Sequence, residues 1–219
     1  MKLAIFDFDG TLFLEDTLPF LLKQWAKFGY SKLKLGIVYA SLARLYVMHK
    51  LGVHSDKSSR AVMRKFLRIF AGMQRAEIEE FFDRCADVII TRLNSSVVEE
   101  VTAAKAAGFH TVLLSGCFEY LLKKVAALLN IDTVIGTSIF YKEGRVDYRR
   151  PLEVVYSAEK VLRLQAVFHG KQVEWDESSA YADSYSDIHL LSIVGRPVAV
   201  RPDKGLKDKA QKSGWRILD

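Results

Sequence analysis

The chain has 219 residues, 50% of them hydrophobic and 26% charged, enough to bury one substantial core and too balanced for disorder, collagen-like repeats or low-complexity sequence. Its net charge of +6 arises within residues 15–93, which hold 14 Lys+Arg against 8 Asp+Glu; this asymmetry suits an anionic partner or a phosphorylated small molecule, and scattered, acid-mixed lysines argue against a nucleic-acid face. The longest stretch without Asp, Glu, Lys or Arg is the 13 residues from Ala106 to Phe118, too short for a transmembrane segment. Two unpatterned cysteines and an N-terminus interrupted by Asp7 and Asp9 lead to the expectation of a cytoplasmic protein without disulfides or an export signal.

Lys2 to Phe6 form a short, nearly continuous apolar run, as expected of a strand buried on both faces of a parallel sheet. From about Asp16 to Leu93 no strand-like run appears, and apolar residues recur at helical spacing, as in Phe66, Ile69, Phe70 and Met73. A segment of roughly 75 residues exceeds an ordinary crossover, so an inserted all-helical cap is expected over 15–93, with 1–14 and 94–219 forming the core. Thr111 to Ser115 reads as the next strand. Ser115-Gly116-Cys117-Phe118 then reads as the opening of a helix with apolar face Phe118, Leu121, Leu122, Val125, Leu128 and Leu129. Thr133 to Gly136 is a further strand, and Glu143-Gly144 lies at the tip of a hairpin spanning Ser138 to Asp147. Lys160 falls on a helical stretch after Pro151, and Ala180 to Asp183 and Pro197 to Val200 are strands. The alternation predicts a doubly wound, Rossmann-like α/β fold with a parallel sheet.

In such a sheet the carboxyl ends of the strands form the ligand crevice. Asp7-Phe8-Asp9-Gly10-Thr11 follows the first strand directly, offering a nucleophile and a separate proton-transfer group, with Gly10 permitting a sharp turn. Ser115 is a hydroxyl suited to a phosphate oxygen at a helix N-terminus. Lys160 acquires meaning only if it points into the same crevice, where a cation would offset developing negative charge. Asp183 and Asp187, four apart across a turn, are oxygen donors of the kind magnesium prefers.

These features occur in a fixed order: strand-end Asp-x-Asp-Gly-Thr, strand-end Ser, helical Lys, then strand-end Asp with a second Asp four residues later. In that order the chain resembles the haloacid dehalogenase-like (HAD) hydrolases, in particular their phosphoserine-phosphatase-like branch, over essentially its whole length. The resemblance implies a magnesium-dependent phosphatase acting on a small phosphomonoester, with Asp7 as nucleophile, Asp9 as general acid and base, and Ser115 and Lys160 as phosphate holders. It further implies Asp183 as a metal ligand supported by Asp187, with Asp7 and the backbone carbonyl of Asp9 completing the magnesium set. Asp16 stands where that branch carries a Glu for the substrate amine, and before Thr17-Leu18-Pro19 it equally suits a helix N-cap; Arg64 matches a carboxylate-binding arginine, and Gly116 joins them as substrate-contacting. An amino-phosphate such as phosphoserine or phosphoethanolamine is the leading substrate, with a phosphoester of a larger, non-amine metabolite as the alternative. Two departures, Ala182 for Gly and Ser186 for Asn, bear on substrate identity more than on catalysis.

Two other classes share part of the pattern. A signalling receiver module carries its phosphorylated aspartate after a middle strand and has no large cap, which Asp7 after the first strand contradicts. A silent protein binding nucleic acid or lipid through its basic cap would have no need of the full catalytic set. The sequence leaves the oligomeric state open.

Overall fold

A computed structural model describes residues 1–50 and 56–219, with side chains described outside 44–59. Strand β1 (Leu3–Phe6) is followed by helices α1 (Thr17–Lys27), α2 (Lys32–Lys50) and α3 (Asp56–Phe66), a 3₁₀ turn at Leu67–Phe70, and α4 (Arg75–Ile90). Helix α5 (Ser95–Ala106) returns the chain to β2 (His110–Phe118), α6 (Glu119–Leu128) and β3 (Thr133–Thr137). The hairpin β4 (Tyr141–Lys142) and β5 (Arg145–Val146) precedes α7 (Ala158–Val167), β6 (Ser179–Ala182), the short α8 (Ile188–Leu191), β7 (Arg196–Val200), α9 (Lys204–Ser213) and β8 (Arg216–Leu218).

Six strands form one parallel sheet in the order β3-β2-β1-β6-β7-β8. The order reverses between β1 and β6, so the crevice at this switch point opens beside Asp7 and Asp183, which directly follow those two strands. Alternation divides each central strand between two cores. Leu3, Ile5, Val112, Leu114, Ala180, Ala182 and Ala199 pack with Leu164 of α7, Leu190 of α8, and Leu206 and Ala210 of α9. Ala4, Phe6, Leu113, Tyr181, Val198 and Val200 share the other core with Val97 and Val101 of α5 and Leu121, Leu122 and Val125 of α6.

That second core continues into the inserted helices. Phe118, at the end of β2, lies 5.6 Å from Phe66 and 5.3 Å from Phe82, and Phe70, Phe81 and Trp25 extend the aromatic cluster. The chain leaves and rejoins the sheet at adjacent points: Phe13 bridges Leu93, and the Asn94 N–H donates to the Leu12 carbonyl at 2.9 Å. Such neighbouring crossings let a helical unit be inserted without disturbing the sheet.

Two sequence expectations need correction. Ser115 does not open a helix: β2 continues to Phe118, which pairs with Thr137, and the pairing is irregular between Leu114 and Phe118. Helix α6 begins only at Glu119, and Leu128 is exposed rather than on its buried face. The expected hairpin is present, with Glu143 and Gly144 both at positive φ (50° and 75°), the conformation that a two-residue turn between twisted strands requires.

Candidate active site

Asp7 is the first residue beyond β1; its N–H donates to the Tyr181 carbonyl at 3.0 Å, which ties it to the neighbouring strand β6. Its carboxylate is buried and meets the Lys160 ammonium at 2.8 Å. Lys160, in the first turn of α7, is itself buried and reaches Asp187 at 2.6 Å. Burial alone would lower the lysine, but Asp187 and Asp7 more than offset it and hold the ammonium above its ordinary range. Lys160 is therefore a fixed positive charge between two carboxylates.

Asp7, Asp183 and Asp187 each offer a carboxylate oxygen, and the three oxygens lie within 4.8 Å of one another. Burial pushes Asp7 upward against the pull of Lys160, with Asp187 and Asp183 adding to the rise; burial pushes Asp183 up to about 6. One lysine does not balance this much buried negative charge, and an all-oxygen, partly buried carboxylate set is what a hard dication takes. The residues present thus fit magnesium.

The turn after β1 is shaped around Asp183. Gly10 has φ +72°, and a Cβ there would overlap the Asp183 carboxylate. The Thr11 hydroxyl donates to Asp183 Oδ1 at 3.4 Å, and the Asn94 side chain donates to the Thr11 carbonyl at 3.2 Å. The requirement at position 10 is therefore both conformational and steric.

Asp9 is held differently. Its Oδ1 accepts from the Thr17 N–H at 2.9 Å and from the Thr17 hydroxyl. Asp16, the residue at the N-cap position of α1, makes no side-chain capping bond, so a carboxylate eight residues upstream caps the helix in its place. Burial raises Asp9 to about 6 despite those two hydrogen bonds, and the nearby charge of Asp16 adds to the rise. A carboxyl titrating there can give and take a proton near neutral pH.

Ser115 is buried, and its Oγ accepts from the Cys117 N–H at 3.1 Å. The Gly116 carbonyl accepts from the Thr137 hydroxyl at 2.7 Å, and a Cβ on Gly116 would stand 3.1 Å from the Val155 carbonyl oxygen. Cys117 is buried close to Asp9, Asp7 and Thr17, and burial holds its thiol protonated, well above the ordinary range.

The structure thus brings Asp7, Lys160, Asp183 and Asp187 together in one cluster. Asp9 stands two residues from Asp7, and Asp16 lies at the exposed start of α1 beside the Thr17–Asp9 contact. Arg64 is exposed on α3, with no hydrogen bond or ion pair linking it to the carboxylates among the described residues. Thr17 and Asn94 were not singled out by sequence, and Thr11 entered only as the last residue of the Asp-x-Asp-Gly-Thr run; the Thr that follows Asp16 was the one available signal for the Thr17–Asp9 contact.

The model of the haloacid dehalogenase-like hydrolases matches residues 4–192. The chain belongs to that family. It is 27% identical to a histidinol-phosphatase of Neisseria meningitidis, covering all of this chain and 98% of that protein. It is 26% identical to a phosphoserine phosphatase of Mycobacterium tuberculosis, over 99% of this chain and 70% of that protein. Among solved structures, a Bordetella pertussis protein of unknown function superposes with a TM-score of 0.84 at 24% identity, covering 100% of this chain and 98% of that one. A phospho-aspartyl intermediate analogue of phosphoserine phosphatase superposes with a TM-score of 0.66 at 18% identity, covering 99% and 92%. As an HAD hydrolase the chain is an enzyme of the phosphatase type.

Proposed function

We propose that this HAD hydrolase is a magnesium-dependent phosphatase that cleaves a 2-aminoalkyl phosphate through an aspartyl-phosphate on Asp7. The observation that carries the reading is the buried Asp7–Lys160–Asp187 contact with Asp183 alongside, at the switch point of a parallel sheet. Phosphoserine and histidinol phosphate, the esters specified by two relatives' names, share one unit: an ammonium on the carbon next to the CH₂–O–phosphate group. They differ in what else that carbon bears. The shared unit is the substrate class supported here, and Asp16, an exposed carboxylate next to the Asp9 clamp, is suited to its ammonium.

Asp7 attacks phosphorus in line, forming the Asp7–O–P bond as the ester P–O bond breaks, and protonated Asp9 delivers its proton to the departing alkoxide. Asp9, now ionised, takes a proton from water as that water attacks phosphorus and returns the Asp7 carboxylate. Lys160 offsets negative charge on Asp7 throughout, and the Ser115 hydroxyl and the Gly116 amide hold phosphoryl oxygens. Asp7, Asp183 and Asp187, with the Asp9 carbonyl, would hold magnesium, which when bound supplies positive charge against the phosphoryl oxygens.

Hydrolysis of phosphoserine, histidinol phosphate and their deaminated analogues, with magnesium and after its removal, tests this reading. Turnover should require the metal and favour both amines over their analogues, with the preference weakened in Asp16→Asn. Turnover that survives complete metal removal would sink the mechanism. Equal turnover with and without the amine, unchanged by the substitution, would remove the substrate class alone.

A further inference from the structure

Helix α2 is apolar around most of its circumference. Val38 is buried and Leu35 and Leu42 pack against the core, yet Leu33, Ile37 and Tyr39 are 75%, 52% and 53% exposed. Gly36, Ala40 and Ala43 are exposed as well. Leu33, Ile37 and Ala40 stand at i, i+4 and i+7, so they form one stripe. From Leu33 to Ala43 the sole charged side chain is Lys34, and its ammonium donates to the Ala71 carbonyl at 2.6 Å. Among the described residues no helix is long and apolar enough to cross a membrane.

The surroundings of this face are basic. From Thr17 to Gln74 the sequence holds 11 Lys+Arg and one acidic residue, Asp56. The elements packed beside α2 are α1, α3 and the 3₁₀ turn. They present exposed Lys23, Lys27, Arg64 and Arg68, and Lys32 is exposed at the start of α2 itself. None of these five forms an ion pair with another described residue. The surface thus combines exposed apolar side chains on α2 with these basic residues, mostly on the neighbouring elements, and an anionic lipid interface offers both an apolar boundary and negative charge.

We propose that the exposed face of α2 docks on an anionic phospholipid surface, with Leu33 and Ile37 entering the headgroup boundary and Lys23, Lys27 and Lys32 meeting lipid phosphates. Charge decides against a second copy of the chain: a symmetric pairing would set two uniformly basic surfaces against each other. Apolarity decides against nucleic acid, whose protein interfaces are polar and wet. This surface is independent of the substrate assignment, since none of its members contacts the carboxylate cluster.

Flotation of the full chain with vesicles of phosphatidylcholine, with or without added phosphatidylglycerol, tests the proposal. The chain should float with the anionic vesicles alone and be released as salt rises. Leu33→Ser with Ile37→Ser should lose most of the binding, and each of Lys23→Gln, Lys27→Gln and Lys32→Gln should weaken it about fivefold. All should keep the wild-type circular dichroism spectrum and hydrolysis of a soluble aryl phosphate. No flotation, or equal flotation with neutral vesicles, overturns the proposal. So does a wild-type dimer in sedimentation velocity that the Ser pair dissolves, because a second copy then covers the face. RNA binding that displaces the vesicles and is indifferent to the Ser pair overturns it likewise.

Discussion

Thr17 holds Asp9, the carboxylate that gives and receives the proton in the proposed mechanism, through its N–H and its hydroxyl together. Thr17→Val keeps the backbone donor and removes the hydroxyl. The expected result is a fall in kcat of about tenfold or more with KM little changed, since a misplaced proton donor costs catalysis more than binding; steady-state kinetics on one substrate checks it. A second carboxylate, Asp132, is structural. Its oxygens accept from the Thr111 N–H (2.8 Å) and hydroxyl (2.7 Å) and meet Lys105 at 2.9 Å. Partial burial pushes Asp132 up, but these partners outweigh it and hold the carboxyl down at about 2, below its ordinary 3.8. A lowered folded-state pKa contributes stability above the unfolded value, and that contribution disappears as pH falls from about 4 to about 2. Asp132→Asn should therefore cost about 1–2 kcal/mol near neutral pH and much less at pH near 2, read from denaturant titrations at the two pH values.

Among the elements, the turn after β1 is the least tolerant. Gly10→Ala places a side chain at φ +72° and into the Asp183 carboxylate; it should abolish most metal-dependent turnover while costing about 1–2 kcal/mol of stability. Thermal unfolding with parallel kinetics separates the two effects, and unimpaired turnover would contradict the assigned geometry. Strands β1, β2, β3, β6 and β7 were legible in the sequence as short apolar runs between helical patterns, the hairpin through Glu143-Gly144, and Asp7 and Asp183 as carboxylates at the ends of two such runs. The end of β2 was not legible. Ser115-Gly116 looks like a break, yet Thr137 of β3 pairs with Phe118 beyond it, and pairing with a strand nearly 20 residues away in sequence leaves no local mark. Leu128 failed for a related reason, since an apolar residue in the last turn of a helix looks the same whether or not anything covers it. The Thr17–Asp9 clamp needed the direction in which α1 leaves the turn, which spacing does not supply.

For the molecule as a whole, the cap and one face of the sheet share a continuous core through Phe118, Phe82 and Phe66. Phe82→Ala should cost about 3–5 kcal/mol, and the chain should still unfold in one transition rather than as separate cap and core; chemical denaturation followed by tryptophan fluorescence and far-ultraviolet dichroism reads both. The proposed role of the buried Asp7 is that of the nucleophile. It is tested most directly by rapid acid quench of the magnesium-loaded enzyme during turnover, followed by mass analysis of the peptides. A single phosphoryl group on the peptide carrying Asp7, absent from Asp7→Asn, is the expected result; turnover with no phosphorylated peptide on any quench timescale, or a phosphoryl group on another residue, would contradict it.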